Sequence, residues 1–200
     1  DNLRHAGYNS YLRHRETVAV SASTQRDDLA CYSNIGEMID FAAPSRGCFD
    51  GENGLVTTDV TGPHGYHESD YHTGFGGTSG ATPVASGVAA LVVAANPQLS
   101  ARQVRQVMAA TADPIRADSN DWLNRIGRDL EAEFEYDENG HSIGFGFGRV
   151  NAQAAVLGAA EHRQGGACDA DCARCDDEGR CHLPCLADLD CPGRTRCVEK

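Results

Sequence analysis

The sequence predicts an α/β domain with packed helices, followed by a small disulfide-rich tail. Three observations support this prediction. Short runs of β-branched and small residues come first, helical segments follow them, and seven of the nine cysteines lie after residue 167. The domain is placed at residues 1–160, a linker at 161–167 and the cysteine-rich module at 168–200.

Three short strands are predicted in the first part of the chain. Their β-branched and small side chains are typical of buried strands, and Pro44 ends the second one. The strands are expected at residues 17–22, 38–43 and 55–58. The stretch from residue 58 to residue 79 is predicted to be a long loop, which contains His64, His67 and His72.

Three helices are predicted after the loop. The first is a run of small and apolar residues, which Asn96-Pro97 ends, and it is expected to be buried on almost every side. The second begins at a capping box formed by Ser100 and Gln103. The last, residues 152–160, follows Asn151 as its N-cap. The outward face of the second helix is expected to carry Arg102, Gln103, Arg105 and Gln106.

Strict alternation predicts a half-buried strand over residues 129–137. Its acidic face could attract a cation, although such a face is more often simply solvated. Asn139-Gly140 then predicts a hairpin turn, with residues 141–147 returning beside the strand.

Composition excludes several classes of function. The chain has 200 residues, 40% hydrophobic and 23% charged, as in an ordinary globular protein. Its net charge of −12 argues against binding to nucleic acid or anionic membranes. The apolar run is shorter than the roughly 20 residues that a membrane span needs. The sequence also shows no pattern of a signal peptide.

Ser79 is the candidate nucleophile. It follows a glycine-rich turn and stands at or near the start of the first helix, with Pro83 placed in the first turn. Backbone N–H groups and the positive end of the helix dipole lie beside a hydroxyl at such a position. That environment suits a serine whose attack creates an oxyanion. A serine before an apolar run is, however, more often only a helix cap.

The residues around Ser79 resemble a known sequence motif. Residues 77–87, Gly-Thr-Ser-Gly-Ala-Thr-Pro-Val-Ala-Ser-Gly, are similar to the serine box of the subtilisin-like serine proteases. The resemblance implies that Ser79 is the acylated serine of an endopeptidase, and it implies a partial subtilisin-like fold with a mostly parallel sheet. Further similarity to the kexin/furin-like branch runs in the same order through residues 7–10, 17–22, 30–34, 43–45, 56–59, 122–127 and 141–152.

Two members of the family's catalytic set do not match this chain. The family's order is Asp, His, Ser, and the motifs around its aspartate and histidine are absent here. The three histidines of the loop stand at the wrong place in that order. The chain therefore resembles the C-terminal half of a catalytic domain, which is expected to be inactive alone because its serine lacks a positioned base.

Specificity and metal binding also follow from the resemblance. Furin-like enzymes carry an aspartate that reads a basic substrate residue at the position of Ala6, so a dibasic preference is not expected. Two calcium ligands of these relatives align with Asp1 and Asn34. The resemblance thus implies a structural calcium site with one negative charge fewer; the plain alternative is two turn residues.

The cysteines place the protein outside the cytosol. The tail has too little apolar surface to fold without disulfides or a bound metal. Disulfides fit the spacing of its cysteines better than zinc does, because Cys172 and Cys175 form only one pair of zinc ligands. Seven is an odd number, so one tail cysteine is expected to stay free, to pair between chains or to find a partner beyond Lys200, and the last option fits a module that is truncated within a repeat. Outside the tail, Cys31 and Cys48 either pair with each other or remain buried thiols.

Two functions are consistent with these observations. The first is a secreted or cell-surface serine endopeptidase that acts on protein or peptide substrates through Ser79. The second is a non-catalytic extracellular binding or scaffold module.

Overall fold

The computed structural model describes Tyr11, His14, residues 16–48, 53–115 and 134–162, and the backbone of 174–175 and 181–182. Residues 163–167 of the predicted linker and most of the predicted tail lie outside these residues, whereas residues 161 and 162 belong to the last helix. In the tail, β5 (Arg174–Cys175) and β6 (Cys181–His182) pair antiparallel. The pairing of the tail cysteines lies outside the described residues.

A parallel sheet forms the centre of the domain. Strands β1 (Val20–Ser23) and β2 (Phe41–Pro44) pair in parallel, with Val20 opposite Phe41. Residue 149 adds a parallel bridge to Ala42 on the far side of β2. The strands at 17–22 and 38–43 were therefore predicted correctly in kind, but each begins three residues later than expected. Small side chains let the sheet lie close to a helix.

An antiparallel hairpin precedes the candidate nucleophile. Strand β3 (Leu55–Thr58) lies where it was predicted and pairs with β4 (Tyr71–Phe75). The prediction of a continuous loop up to residue 79 was wrong, because β4 lies within it. The hairpin is largely exposed, with 70% of Val56 accessible. Its second strand consequently lacks the apolar pattern that marks a buried strand.

Helix α1 (Thr78–Ala95) packs one face against β1 and β2. The buried face contains Gly80, Ala81, Ala85, Val88 and Val92. The expectation of burial on almost every side was wrong for the described residues, since Leu91 is 50% exposed and Val93 is 44% exposed. α1 has the length and apolar composition of a membrane span, which is weak evidence because core helices share both properties.

Two further helices close the core. In α2 (Ala101–Ala110) the capping box is confirmed: Gln103 N–H donates to Ser100 Oγ (3.3 Å), and Ser100 N–H donates to Gln103 Oε1 (2.9 Å). In α3 (Ala152–His162) the predicted N-cap is also confirmed, because Asn151 Oδ1 accepts from Ala154 N–H at 3.0 Å.

The outward orientation predicted for Arg105 was wrong. Its guanidinium donates to the carboxylate of Asp40, which is 3% exposed and lies just before β2. Asp40 also accepts from the N–H of Ala19 at 2.7 Å. This buried pair ties α2 to the parallel sheet.

Residues 134–150 form turns rather than the predicted hairpin of strands. Among the described residues of the predicted strand, Phe134 is buried and Glu135 is exposed, as the alternation requires, but no strand forms there. The turn at Asn139-Gly140 is present, with Gly140 at φ +72°. Gly146 is required by close packing, since a Cβ there would lie 2.2 Å from the backbone of Asp40.

Candidate active site

Ser79 lies in the first turn of α1 and is exposed to solvent. The helix follows Gly77, whose φ of +77° favours glycine. The N–H groups of Gly80 and Ala81 bond to the Gly77 carbonyl, at 3.0 and 3.3 Å. The N–H groups of Thr78 and Ser79 have no acceptor among the described residues. The serine hydroxyl therefore stands beside N–H groups at the positive end of the helix dipole.

The turn is bound to the parallel sheet. Ser45, which directly follows β2, donates its hydroxyl to the Gly77 carbonyl at 2.8 Å. A Cβ on Gly80 would lie 2.9 Å from Leu55 Cδ1 and 3.0 Å from Ser45 Oγ. The missing side chain of Gly80 lets the strand end, the hairpin and the helix meet this closely.

Pro83 does not lie in the first turn, as the sequence predicted, because α1 begins at Thr78. Residue 83 is in the second turn, where a helical N–H would donate to the carbonyl of Ser79. Proline has no such N–H, so the turn that carries the serine has one helical bond fewer. Thr82 compensates in part, since its hydroxyl donates to the Thr78 carbonyl at 2.8 Å.

The three histidines of the hairpin do not assemble a catalytic pair with Ser79. His64 and His67 are exposed, and the ring of His72 packs near Tyr66 at a centroid distance of 5.9 Å. No histidine ring among the described side chains hydrogen bonds to Ser79. His141 instead contacts the Ile39 carbonyl through Nε2 at 2.7 Å.

Only one of the two predicted calcium ligands lies in the described part of the chain. Asp1 lies outside it. Asn34 is exposed, and its backbone carbonyl accepts from the Ser33 hydroxyl at 3.3 Å. No group of three or more His, Cys, Asp or Glu side chains suited to a metal occurs in the described part of the chain. The assignment of Asp1 and Asn34 as calcium ligands therefore stays a prediction.

Sequence reasoning missed the charged pairs that link distant parts of the domain. Burial raises the pKa of Asp40, while the nearby Arg105 opposes that rise. Arg149 donates to Asp27 (2.5 Å) and Asp113 (2.9 Å), and hydrogen bonds from Asn151 and Arg149 lower the pKa of Asp113. Their partners are far apart in sequence, so no local pattern could reveal them.

A disulfide joins Cys31 to Cys48. Of the two alternatives left open by the sequence, the structure therefore shows the paired cysteines. The bond links the segment between β1 and β2 to the chain that leaves β2.

Comparison with known proteins identifies a common family profile. Residues 4–148 match the profile described as "Subtilase family". The "Calcium-dependent protease" of Trichormus variabilis is 32% identical over 166 residues, which cover 78% of this chain and 22% of that protein. "Furin-1" of Xenopus laevis is 30% identical over 141 residues, with 70% and 16% covered. The chain thus spans about a fifth of the length of these relatives.

The fold is similar to that of solved proteases. The crystal structure of the serine protease of Aeromonas sobria aligns with a TM-score of 0.59 at 28% identity, over 70% of this chain and 29% of that one. A protease from Pseudoalteromonas arctica aligns with a TM-score of 0.55 over 79% of this chain and 40% of that one, and at 24% identity it supports the fold alone. The expected α/β architecture is thereby confirmed.

Proposed function

The chain belongs to the subtilase family, and from that membership we propose that Ser79 is the nucleophile of a serine endopeptidase. The observation that carries the proposal is the exposed Ser79 in the first turn of α1, beside N–H groups without an acceptor among the described residues. Its substrates are proteins or peptides.

The proposed reaction is acyl transfer. Ser79 Oγ attacks the peptide carbonyl, the hydroxyl proton passes to a general base, and the C–N bond breaks to release the amine. Water then hydrolyses the acyl-serine ester. The N–H groups at the start of α1 are suited to stabilise the negative charge that develops on the carbonyl oxygen.

The general base lies outside the described residues in this proposal. We place the histidine, its aspartate and an oxyanion asparagine on polypeptide N-terminal to Asp1, in keeping with the family's order of catalytic residues. The chain alone is then inactive. The chain spans only about a fifth of the length of these relatives, which supports a longer intact protein.

Calcium and an extracellular location belong to the same proposal. A relative described as a calcium-dependent protease supports a structural calcium ion in the intact protein. Asn34 and Asp1 would each supply oxygen atoms, with further ligands from outside the described residues. The Cys31–Cys48 disulfide favours an oxidising compartment, which supports secretion or display at the cell surface.

The test is labelling with a fluorophosphonate probe. The protein produced from its complete reading frame should be labelled and should cleave casein, and Ser79→Ala should abolish both. Ser86→Ala, another exposed serine on α1, is the matched control and should change neither. The isolated chain should remain unlabelled. Peptidase activity retained by Ser79→Ala would refute the assignment.

A non-catalytic extracellular scaffold is the second candidate. It is favoured by the exposed apolar face of α1, which includes Leu91 and Val93, and by the lack of a base near Ser79 among the described residues. An intact protein that folds but neither reacts with the probe nor cleaves casein would support it.

A further inference from the structure

Arg46 lies beside the loop that leads to Ser79. Its side chain runs along Gly76 so closely that a Cβ on that glycine would lie 2.4 Å from the Cβ and 3.4 Å from the Cδ of Arg46. Its Nη1 is 3.9 Å from the position of a Cβ on Gly74. The guanidinium therefore lies along the short segment that enters the serine turn.

The backbone around Arg46 is fixed from several sides. The N–H of Ser45 donates to the Ser23 carbonyl at 2.8 Å, and the Tyr32 hydroxyl donates to the carbonyl of Arg46 itself. Two residues later, Cys48 is held by its disulfide to Cys31. An exposed cation is thus presented from a rigid support.

The charge of Arg46 is not used within the described part of the protein. The ion pairs found there involve Arg26, Arg105 and Arg149, whereas Arg46 is exposed and forms none. The chain as a whole carries a net charge of −12, so a cation at this position differs in sign from the average surface. Guanidinium groups bind carboxylates with matched geometry.

We propose that Arg46 is a specificity residue that favours peptides with an acidic side chain near the scissile bond. This inference rests on the proposed endopeptidase function of Ser79. Because the contact is between charges near the surface, the preference for Glu over Gln should be modest, about 2- to 5-fold in kcat/KM.

The experiment uses the protein produced from its complete reading frame and internally quenched peptides. The peptides are identical except for Glu, Gln or Lys, placed in turn at each of the two positions on either side of the cleaved bond. Wild type should prefer Glu at one or more of these positions. Arg46→Lys should retain part of the preference, Arg46→Gln should lose it, and Arg46→Glu should reverse it in favour of Lys.

Arg102→Glu is the matched control. It makes the same change of charge on an exposed arginine, beyond the opposite end of α1. That end is about 25 Å from Ser79, at about 1.5 Å per helical residue. The control should leave the Glu to Lys ratio unchanged.

Salt provides a measurement that does not depend on a variant folding. The wild-type preference for Glu over Gln in kcat/KM should decrease as the salt concentration rises, because the screening length falls from about 30 Å at 0.01 M to about 3 Å at 1 M. A ratio of Glu to Gln near one in wild type, or an unchanged ratio in folded Arg46→Glu, overturns the role of Arg46 while Ser79-dependent cleavage persists. Absence of any Ser79-dependent cleavage overturns both proposals.

Discussion

Replacing Arg105 with alanine should leave the carboxylate of Asp40 buried without its cation. The side chain of Asp40 is 3% exposed and that of Arg105 is 31% exposed. Removing one partner of a buried pair costs about 3–5 kcal/mol of unfolding free energy. Because Arg105 is partly hydrated and Asp40 keeps its bond from Ala19, we expect the lower end, about 3 kcal/mol.

The loss should depend on pH with a defined sign. Burial raises the folded-state pKa of Asp40 above 3.8, so its contribution to stability is fully present below that pH and is lost as the pH rises through the folded pKa. Removal of Arg105 raises the folded pKa further. The difference between wild type and Arg105→Ala should therefore be small in acid and grow toward neutral pH.

Urea unfolding followed by circular dichroism at a series of pH values measures this difference. Arg102→Ala, on the exposed side of the same helix, is the control and should stay within about 0.5 kcal/mol of wild type. A loss below about 1 kcal/mol at neutral pH, as for an exposed pair, would refute the reasoning. So would a loss that does not change with pH.

Two other predictions concern the links that hold the domain together. The double variant Cys31→Ser/Cys48→Ser should lose about 3 kcal/mol of unfolding free energy, because the disulfide closes a loop with a sequence separation of 17; an equal loss when wild type is measured under reducing conditions is the check. Asp113 has a folded pKa below 3.8 because of hydrogen bonds from Asn151 and Arg149, so its stabilisation is present above pH 3.8 and lost as the pH falls through the folded pKa. In urea titrations, Asp113→Asn should reduce the fall of the unfolding free energy at acid pH. An unchanged fall would contradict its assignment to Asp113.

Local signals predicted the parts of the fold that depend on neighbouring residues. The Ser100–Gln103 capping box and the Asn151 cap are formed within one helical turn, and both were found as predicted. Ser79 was placed near a helix start because glycines precede it and small residues follow. Such features need no knowledge of the distant chain.

Long-range contacts explain what the sequence did not predict. The helical pattern of α2 predicts that Arg105 faces solvent, because its partner, Asp40, lies 65 positions away in the sequence. Arg46 reaches the serine loop only because the glycines at 74 and 76 leave room for it. Strand β4 was missed because none of its five residues, Tyr-His-Thr-Gly-Phe, is buried, so no apolar run marks it.

The turn that bears Ser79 is anchored from two unequal directions. On the helix side, Pro83 has no backbone N–H to donate to this turn. On the sheet side, the Ser45 hydroxyl donates a hydrogen bond to the Gly77 carbonyl. A partner that binds the exposed apolar side chains near the C-terminal end of α1 should therefore displace the hydroxyl of Ser79 less than it displaces that end of the helix. The candidate nucleophile should therefore follow movements of the strands more closely than movements of the rest of α1.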